Sequence, residues 1–220
     1  MFDRNWRPSH AAPARDVRKK RFGKSLVYFP SRKNHVQLIC ESHNEAYMCW
    51  LLEYQHHVTQ YYIQPVSYRY DSTKKSCQYT PDFFVKCDDG HAYFIELKGS
   101  LSELSSHYHS VLDSFATAAA MLGYGFETFN LAEFAKDGTL DNLALLYSRS
   151  HRVTDYEQRQ LMSCLCTWTG PLSISLLLSH ESHPSLRAIC SAIFDQQLNF
   201  DLRNTLTLNT PLFKPKIQEP

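Results

Sequence analysis

The sequence lacks any apolar run of about 18 residues, the length a transmembrane helix requires. It also lacks the apolar stretch near its N-terminus that a secretory signal peptide would need, so no export is expected. There is no even cysteine framework: the seven cysteines are odd in number and irregularly spaced, which points to reduced thiols in a cytoplasmic setting. The eleven histidines form no spaced ligand set, and Cys164-x-Cys166 is too tight for a zinc pair and reads as two helix residues. Charge of one sign is scarce overall, at a net +1 over 220 residues. An apolar content of 43% with 13% aromatics argues for a real core rather than disorder, and 220 residues are enough for one full domain plus a small second one.

The charge is unevenly distributed, with an excess of basic residues at one end. Residues 1–33 hold Arg4, Arg7, Arg15, Arg18, Lys19, Lys20, Arg21, Lys24, Arg32 and Lys33 against Asp3 and Asp16. With Pro8 and Pro13 this reads as an irregular basic arm over residues 1–34. Such an arm can lie on phosphates, through an attraction that weakens with salt, can dock on a protein, or can be a solvated tail.

The most informative pattern is Pro81-Asp82 followed by Glu96-Leu97-Lys98. Residues 82–87 and 91–98 are rich in aromatic and β-branched side chains and read as strands. Between them, Asp88-Asp89-Gly90 suits a three-residue hairpin loop, a type I turn closed by a glycine in the left-handed region. That loop sets Cys87 opposite His91 and Asp82 opposite Glu96, with Cβ atoms about 5 Å apart on one face. Lys98 shares that face and Leu97 turns to the other. A two-residue Asp89-Gly90 turn would shift the register by one and separate the carboxylates. Two carboxylates and an ammonium on one surface are the groups that hold Mg²⁺ against a phosphodiester and activate a water. The plainer alternative is a strand begun by Asp82 and an exposed Glu96–Lys98 pair. The apolar flanks weigh against it: Phe84 and Phe94 on one face, Phe83, Val85, Tyr93, Ile95 and Leu97 on the other, belong in a sheet covered on both sides.

Ser42-His43-Asn44-Glu45 precedes a helical stretch over residues 46–54, offering Glu45 as a third carboxylate. Ser-x-x-Glu is also a capping box, in which Glu45 only satisfies a backbone N–H. After it come Tyr62-Ile63-Gln64-Pro65 and a strand over residues 66–70. Residues 107–122 follow the hairpin as a helix, with Val111, Phe115, Ala118, Ala119 and Leu122 on one side, and residues 124–130 return as a strand. His107 and His109 lie at the start of that helix and carry little weight as nucleic-acid contacts.

The order Glu45 … Pro81-Asp82 … Glu96-Leu97-Lys98 on helix–strand–strand–strand resembles the PD-(D/E)xK nuclease superfamily. In Glu41–Glu45, Tyr62–Pro65, Tyr79–Phe83 and Phe94–Lys98, with an echo in Gly123–Phe126 and Leu143–Tyr147, it resembles the TnsA endonucleases of heteromeric transposases. The resemblance covers most of residues 35–150. Some family members carry Gln where this chain carries Glu96, the ordinary superfamily choice. The resemblance implies a restriction-endonuclease-like α/β fold, a mixed sheet flanked by helices. Asp82 would be the central ligand of Mg²⁺ (or Mn²⁺), with Glu96 and the Leu97 backbone carbonyl beside it. Glu45 would reach the metal directly or through water, and Lys98 would orient or help deprotonate the attacking water; Gln64 is either a nearby hydrogen-bonding group or a satisfied polar residue entering a strand. It further implies hydrolysis of the 5′ strands of double-stranded DNA at transposon ends, alongside a DDE-type transposase and an ATPase regulator in a bacterial cytoplasm. A stand-alone restriction or repair nuclease and a non-catalytic assembly subunit are the other readings.

Beyond residue 150 the character changes. Residues 156–166, 174–178 and 185–197 read as three short helices, with Pro184 suited to a first turn. Residues 198–202 and 205–208 read as a hairpin around a polar turn at Arg203-Asn204. Three helices and a hairpin make a winged-helix pattern over residues 151–212, with a tail over 213–220. The third helix carries Arg187 as its one strong cation, opposed by Asp195, so protein docking is expected ahead of DNA contact, and a cap that only stabilises the rest is the plain alternative.

Overall fold

The computed structural model describes residues 6–9, 26–72, 75–98 and 105–215. Most of the basic arm lies outside them, as do residues 99–104 immediately after Lys98. The chain divides into two units, 1–133 and 134–220. The fold is mixed α/β, with a largely antiparallel sheet and flanking helices.

The first unit opens with an antiparallel hairpin of β1 (Val27–Ser31) and β2 (Val36–Cys40), whose first strand lies inside the segment the sequence assigned to the arm. Its turn carries His35 at φ 54° in place of a glycine. Helix α1 (His43–Tyr54) follows, then β3 (Val58–Ile63). A second hairpin, β4 (Tyr68–Ser72) with β5 (Lys75–Tyr79), replaces the single strand expected over residues 66–70. Then come β6 (Phe83–Cys87), β7 (Ala92–Lys98), α2 (Ser106–Ala120) and β8 (Gly125–Asn130).

The central sheet has the order β3-β6-β7-β8, with β3, β6 and β7 antiparallel and β8 parallel to β7 after the α2 crossover. Both faces of β6 and β7 are covered. Phe84 and Phe94 join Tyr62, Tyr68, Tyr79, Val111, Leu112 and Phe115 in the cluster under α2. Phe83, Val85 and Ile95 are buried on the other face, where Tyr61 reaches α1 through a 2.9 Å hydrogen bond to Glu53. Trp6 packs edge-on against Phe84 at 5.2 Å and donates to the Pro65 carbonyl, so Trp6 itself is anchored on the α2 face.

Glu53 organises the start of the unit. It is buried and accepts from Ser31 Oγ, Tyr61 Oη and the Lys33 backbone N–H. Lys33 Nζ in turn donates to the Leu52 and Gln55 carbonyls, capping a helix end that has no basic residue of its own. Burial lowers the Lys33 pKa to about 8, against the pull of Glu53. Lys33, counted with the arm from sequence, is therefore spent on α1.

The second unit contains α3 (Thr139–Arg149), α4 (Asp155–Thr167), β9 (Leu172–Ser173), α5 (Ile174–Leu178), α6 (Leu186–Phe194) and β10 (Pro211–Leu212). The apolar side of α6 packs on α3, where Tyr147 and Phe194 rings lie 5.2 Å apart. Pro184 sits one residue before the Ser185 cap rather than inside α6. The hairpin expected over 198–208 is absent. Asn142 instead holds the Leu202 and Asn204 carbonyls and the Leu206 N–H, groups that a ladder would have used, and the strand pairing moves to β9 with β10.

Two glycine substitutions test the hairpin and the crossover. A Cβ at Gly90 would meet nothing within 4 Å, so Gly90→Ala is expected to cost about 1 kcal/mol through its φ of +83° alone. At Gly125 a Cβ would stand 2.9 Å from Tyr93 Cβ, so Gly125→Ala should cost more by forcing β7 and β8 apart. Urea denaturation of both variants checks the order, and an unaffected Gly125→Ala would contradict the packing of β8.

Candidate active site

The Asp88-Asp89-Gly90 loop forms as its composition predicts. Gly90 adopts a left-handed φ, its N–H donates to the Cys87 carbonyl, and Cys87 N–H donates to His91. The pairs Phe83↔Ile95, Phe84↔Phe94 and Val85↔Tyr93 fix the register. Continuing it by one residue sets Asp82 opposite Glu96. The carboxylates and Lys98 thus share the parity of Phe84 and Phe94, on the face covered by α2.

Asp82 Oδ2 accepts the Leu97 N–H at 2.8 Å. In an extended strand, the N–H and C=O of one residue leave on the same side, so the Leu97 carbonyl is also directed toward β6. Glu96 is buried and heavily bonded. Its Oε1 accepts from Lys98 Nζ at 2.7 Å and Tyr108 Oη at 2.6 Å, and its Oε2 accepts from Tyr79 Oη at 2.6 Å. A largely buried ion pair needs further hydrogen bonds to offset its desolvation, and the two phenols supply part of them. Tyr79 is pushed far up by burial and by Glu96, so it remains a neutral donor.

Glu45 lies at the start of α1 and is buried. Ser42 Oγ accepts the Glu45 N–H, the first half of the expected cap. The reciprocal half is displaced by one residue, because Glu45 Oε2 takes the Glu41 N–H at 2.6 Å rather than that of Ser42. Glu45 still acts on Asp82 electrostatically. Burial first, then Glu96, and further on Glu45, raise the Asp82 pKa to about 8 against the Leu97 N–H and Lys98.

Asp82, Glu96, Lys98 and the Leu97 backbone are thus gathered in one place, whereas the three carboxylates do not converge on a point. Among the described residues, no group of three His, Cys, Asp or Glu side chains could hold a metal ion. The donor set of Asp82, Glu96 and the Leu97 carbonyl is all oxygen. It fits Mg²⁺, which takes one or two carboxylates and keeps several waters. Asp82 is moreover a half-buried carboxyl beside a second carboxylate, a setting that favours a cation. Gln64 is fully buried at φ 46°, directly before a proline, and its N–H donates to the Asp82 carbonyl at 2.8 Å. His107 and His109 sit on the exposed start of α2. Tyr79 and Tyr108 were not foreseen; the only signal was their place, just before Thr80-Pro81 and in the first turn of α2.

A raised carboxyl pKa has a definite sign in stability. Relative to an unfolded value near 4, folding favours protonated Asp82, so its stabilising effect is complete below about pH 4 and lost as pH rises toward 8. Asp82→Asn should therefore flatten the decline in melting temperature between pH 4 and 8 in EDTA, stabilising the fold at pH 8 by on the order of 1–3 kcal/mol. A variant whose melting curve parallels the wild type across that range would contradict this environment for Asp82.

Among known proteins, no family model and no curated sequence matches this chain.

Proposed function

We propose that the chain is a Mg²⁺-dependent DNA endonuclease of the PD-(D/E)xK type, acting as the 5′-strand-cutting subunit of a heteromeric transposase. The observation that carries this reading is the β6–β7 register, which sets Asp82 opposite Glu96 with Lys98 on the same face. Asp82, Glu96 and the Leu97 carbonyl would hold the ion, with Glu45 acting through water. When bound, Mg²⁺ supplies Lewis-acid polarisation of the phosphodiester and an acidified water. Lys98 presents a compact positive charge that orients the attacking water and offsets charge on the phosphate. Tyr79 keeps Glu96 fixed while this happens.

We read the second unit as a winged-helix module that docks on an ATPase regulator. Three features support this: the order α4, β9, α5, α6, the β9–β10 pairing, and the further antiparallel bridge between Asn199 and Phe213. Docking is favoured over DNA contact because Arg187 on α6 is committed to Glu157 at 2.7 Å. The remaining partners, transposon-end DNA and a DDE-type transposase, rest on the resemblance of Glu45, Asp82, Glu96 and Lys98 to the family's motif.

A second reading has its own observation. Glu96 already accepts three hydrogen bonds and, among the described residues, no three ligating side chains converge, as in a nuclease scaffold retained for assembly. Supercoiled-plasmid nicking with Mg²⁺, with and without partner subunits, separates the two. Wild-type protein should nick, while Asp82→Ala and Lys98→Ala should each lose on the order of a hundredfold or more in rate. Equal cleavage by all three proteins would remove the assignment. No nicking, together with no Mn²⁺ binding by calorimetry, would establish the scaffold reading.

A further inference from the structure

Tyr108, in the first turn of α2, touches both members of the Glu96–Lys98 pair. Its hydroxyl accepts from Lys98 Nζ at 2.8 Å and donates to Glu96 Oε1 at 2.6 Å. Its ring also lies under the ammonium, with Nζ 4.2 Å from the ring centroid. A phenol has one proton to give and lone pairs to accept with, so a single hydroxyl can bridge a cation and an anion in this way. No carboxylate or amide side chain at position 108 would supply both the bridge and the aromatic face.

Counting hydrogen-bonding capacity shows what the bridge controls. The Lys98 ammonium has three N–H donors, of which Glu96 Oε1 and Tyr108 Oη take two. A lysine side chain is otherwise free to rotate about its stem, and its charge would be spread over many positions. Held at two donors and against a ring, it can direct its third donor to one place. A carboxylate offers about four lone-pair sites. Glu96 Oε1 has both of its sites filled by Lys98 and Tyr108, whereas among the described residues Oε2 carries only Tyr79. The capacity left for a further partner is therefore on Oε2.

We infer that Tyr108 is a positioning residue for the proposed hydrolysis: its hydroxyl fixes the Lys98 ammonium against Glu96 Oε1 and leaves Oε2 as the face of Glu96 turned to an incoming cation. This rests on the nuclease reading of the site. Tyr108 acts through Lys98 and is not itself a ligand or a proton donor to the reacting atoms. Tyr79 provides the contrast, because its hydroxyl bonds Glu96 on the other oxygen.

The test compares full-length wild type with Tyr108→Phe, which keeps the ring and removes the bridge. Three quantities are read: turnover and KM in plasmid nicking, Mn²⁺ affinity by calorimetry, and reductive methylation of Lys98 followed by mass spectrometry. The expected result is a turnover lower by about tenfold, the effect of one charge-assisted hydrogen bond, with KM and Mn²⁺ affinity held within about twofold. Lys98 should methylate several-fold faster in the variant, because its ammonium is released, and this readout does not depend on activity. Unchanged turnover in an active protein overturns the inference alone. So does a loss of turnover with unchanged Lys98 methylation, or one matched by equal losses in KM and metal affinity, since either marks a merely structural role. Wild-type protein that neither nicks nor binds Mn²⁺ overturns the nuclease reading itself, and the inference with it.

Discussion

Everything at the candidate site depends on the pairing register between β6 and β7. Side chains alternate along a strand, so a shift of one residue would send Asp82 and Glu96 to opposite faces. The loop chooses the register because a left-handed Gly90 after two turn-forming aspartates closes a three-residue connection. The aromatic pairs then hold it, with Phe84 and Phe94 rings 4.7 Å apart under α2. Chemistry at one end of the hairpin is thus set by backbone geometry at the other.

The electrostatics follow from this placement. Two carboxylates brought under a helix need compensation, and the chain supplies it unequally. Glu96 receives an ammonium and two phenols, while Asp82 receives chiefly a backbone N–H and sits among like charges. The strain falls on Asp82. Such a division between a satisfied and an unsatisfied acid is common where function requires a charge partner from outside the chain.

The parts of this arrangement legible in the sequence were those with local causes. Asp88-Asp89-Gly90 announced its own turn, and the apolar residues on both sides of β6 and β7 announced a covered sheet. The helix α2 was visible in Val111, Phe115 and Ala119. By contrast, β1 lay hidden in a basic stretch, and its turn into β2 is carried by His35 instead of glycine. The β4–β5 hairpin has short, largely polar strands, Tyr68–Ser72 and Lys75–Tyr79, joined with no glycine or proline between them, so no turn residue marked it as a hairpin. In the second unit the helices were readable but the strand pairing was not, because it is decided by Asn142, which is about 60 residues from the loop it holds. Tyr108 escaped for a similar reason: periodicity finds the buried side of a helix, not the residue of its first turn that meets a distant strand.

Trp6 gives the N-terminal segment a weight beyond its charge. Its indole closes over Phe84, Phe94 and Tyr124, rings on the α2 face of the central sheet. A shortened version of the chain beginning at the first strand would leave those rings open to water, and a patch of that kind invites self-association. The segment usually trimmed to improve the behaviour of a protein is here part of what keeps the sheet covered.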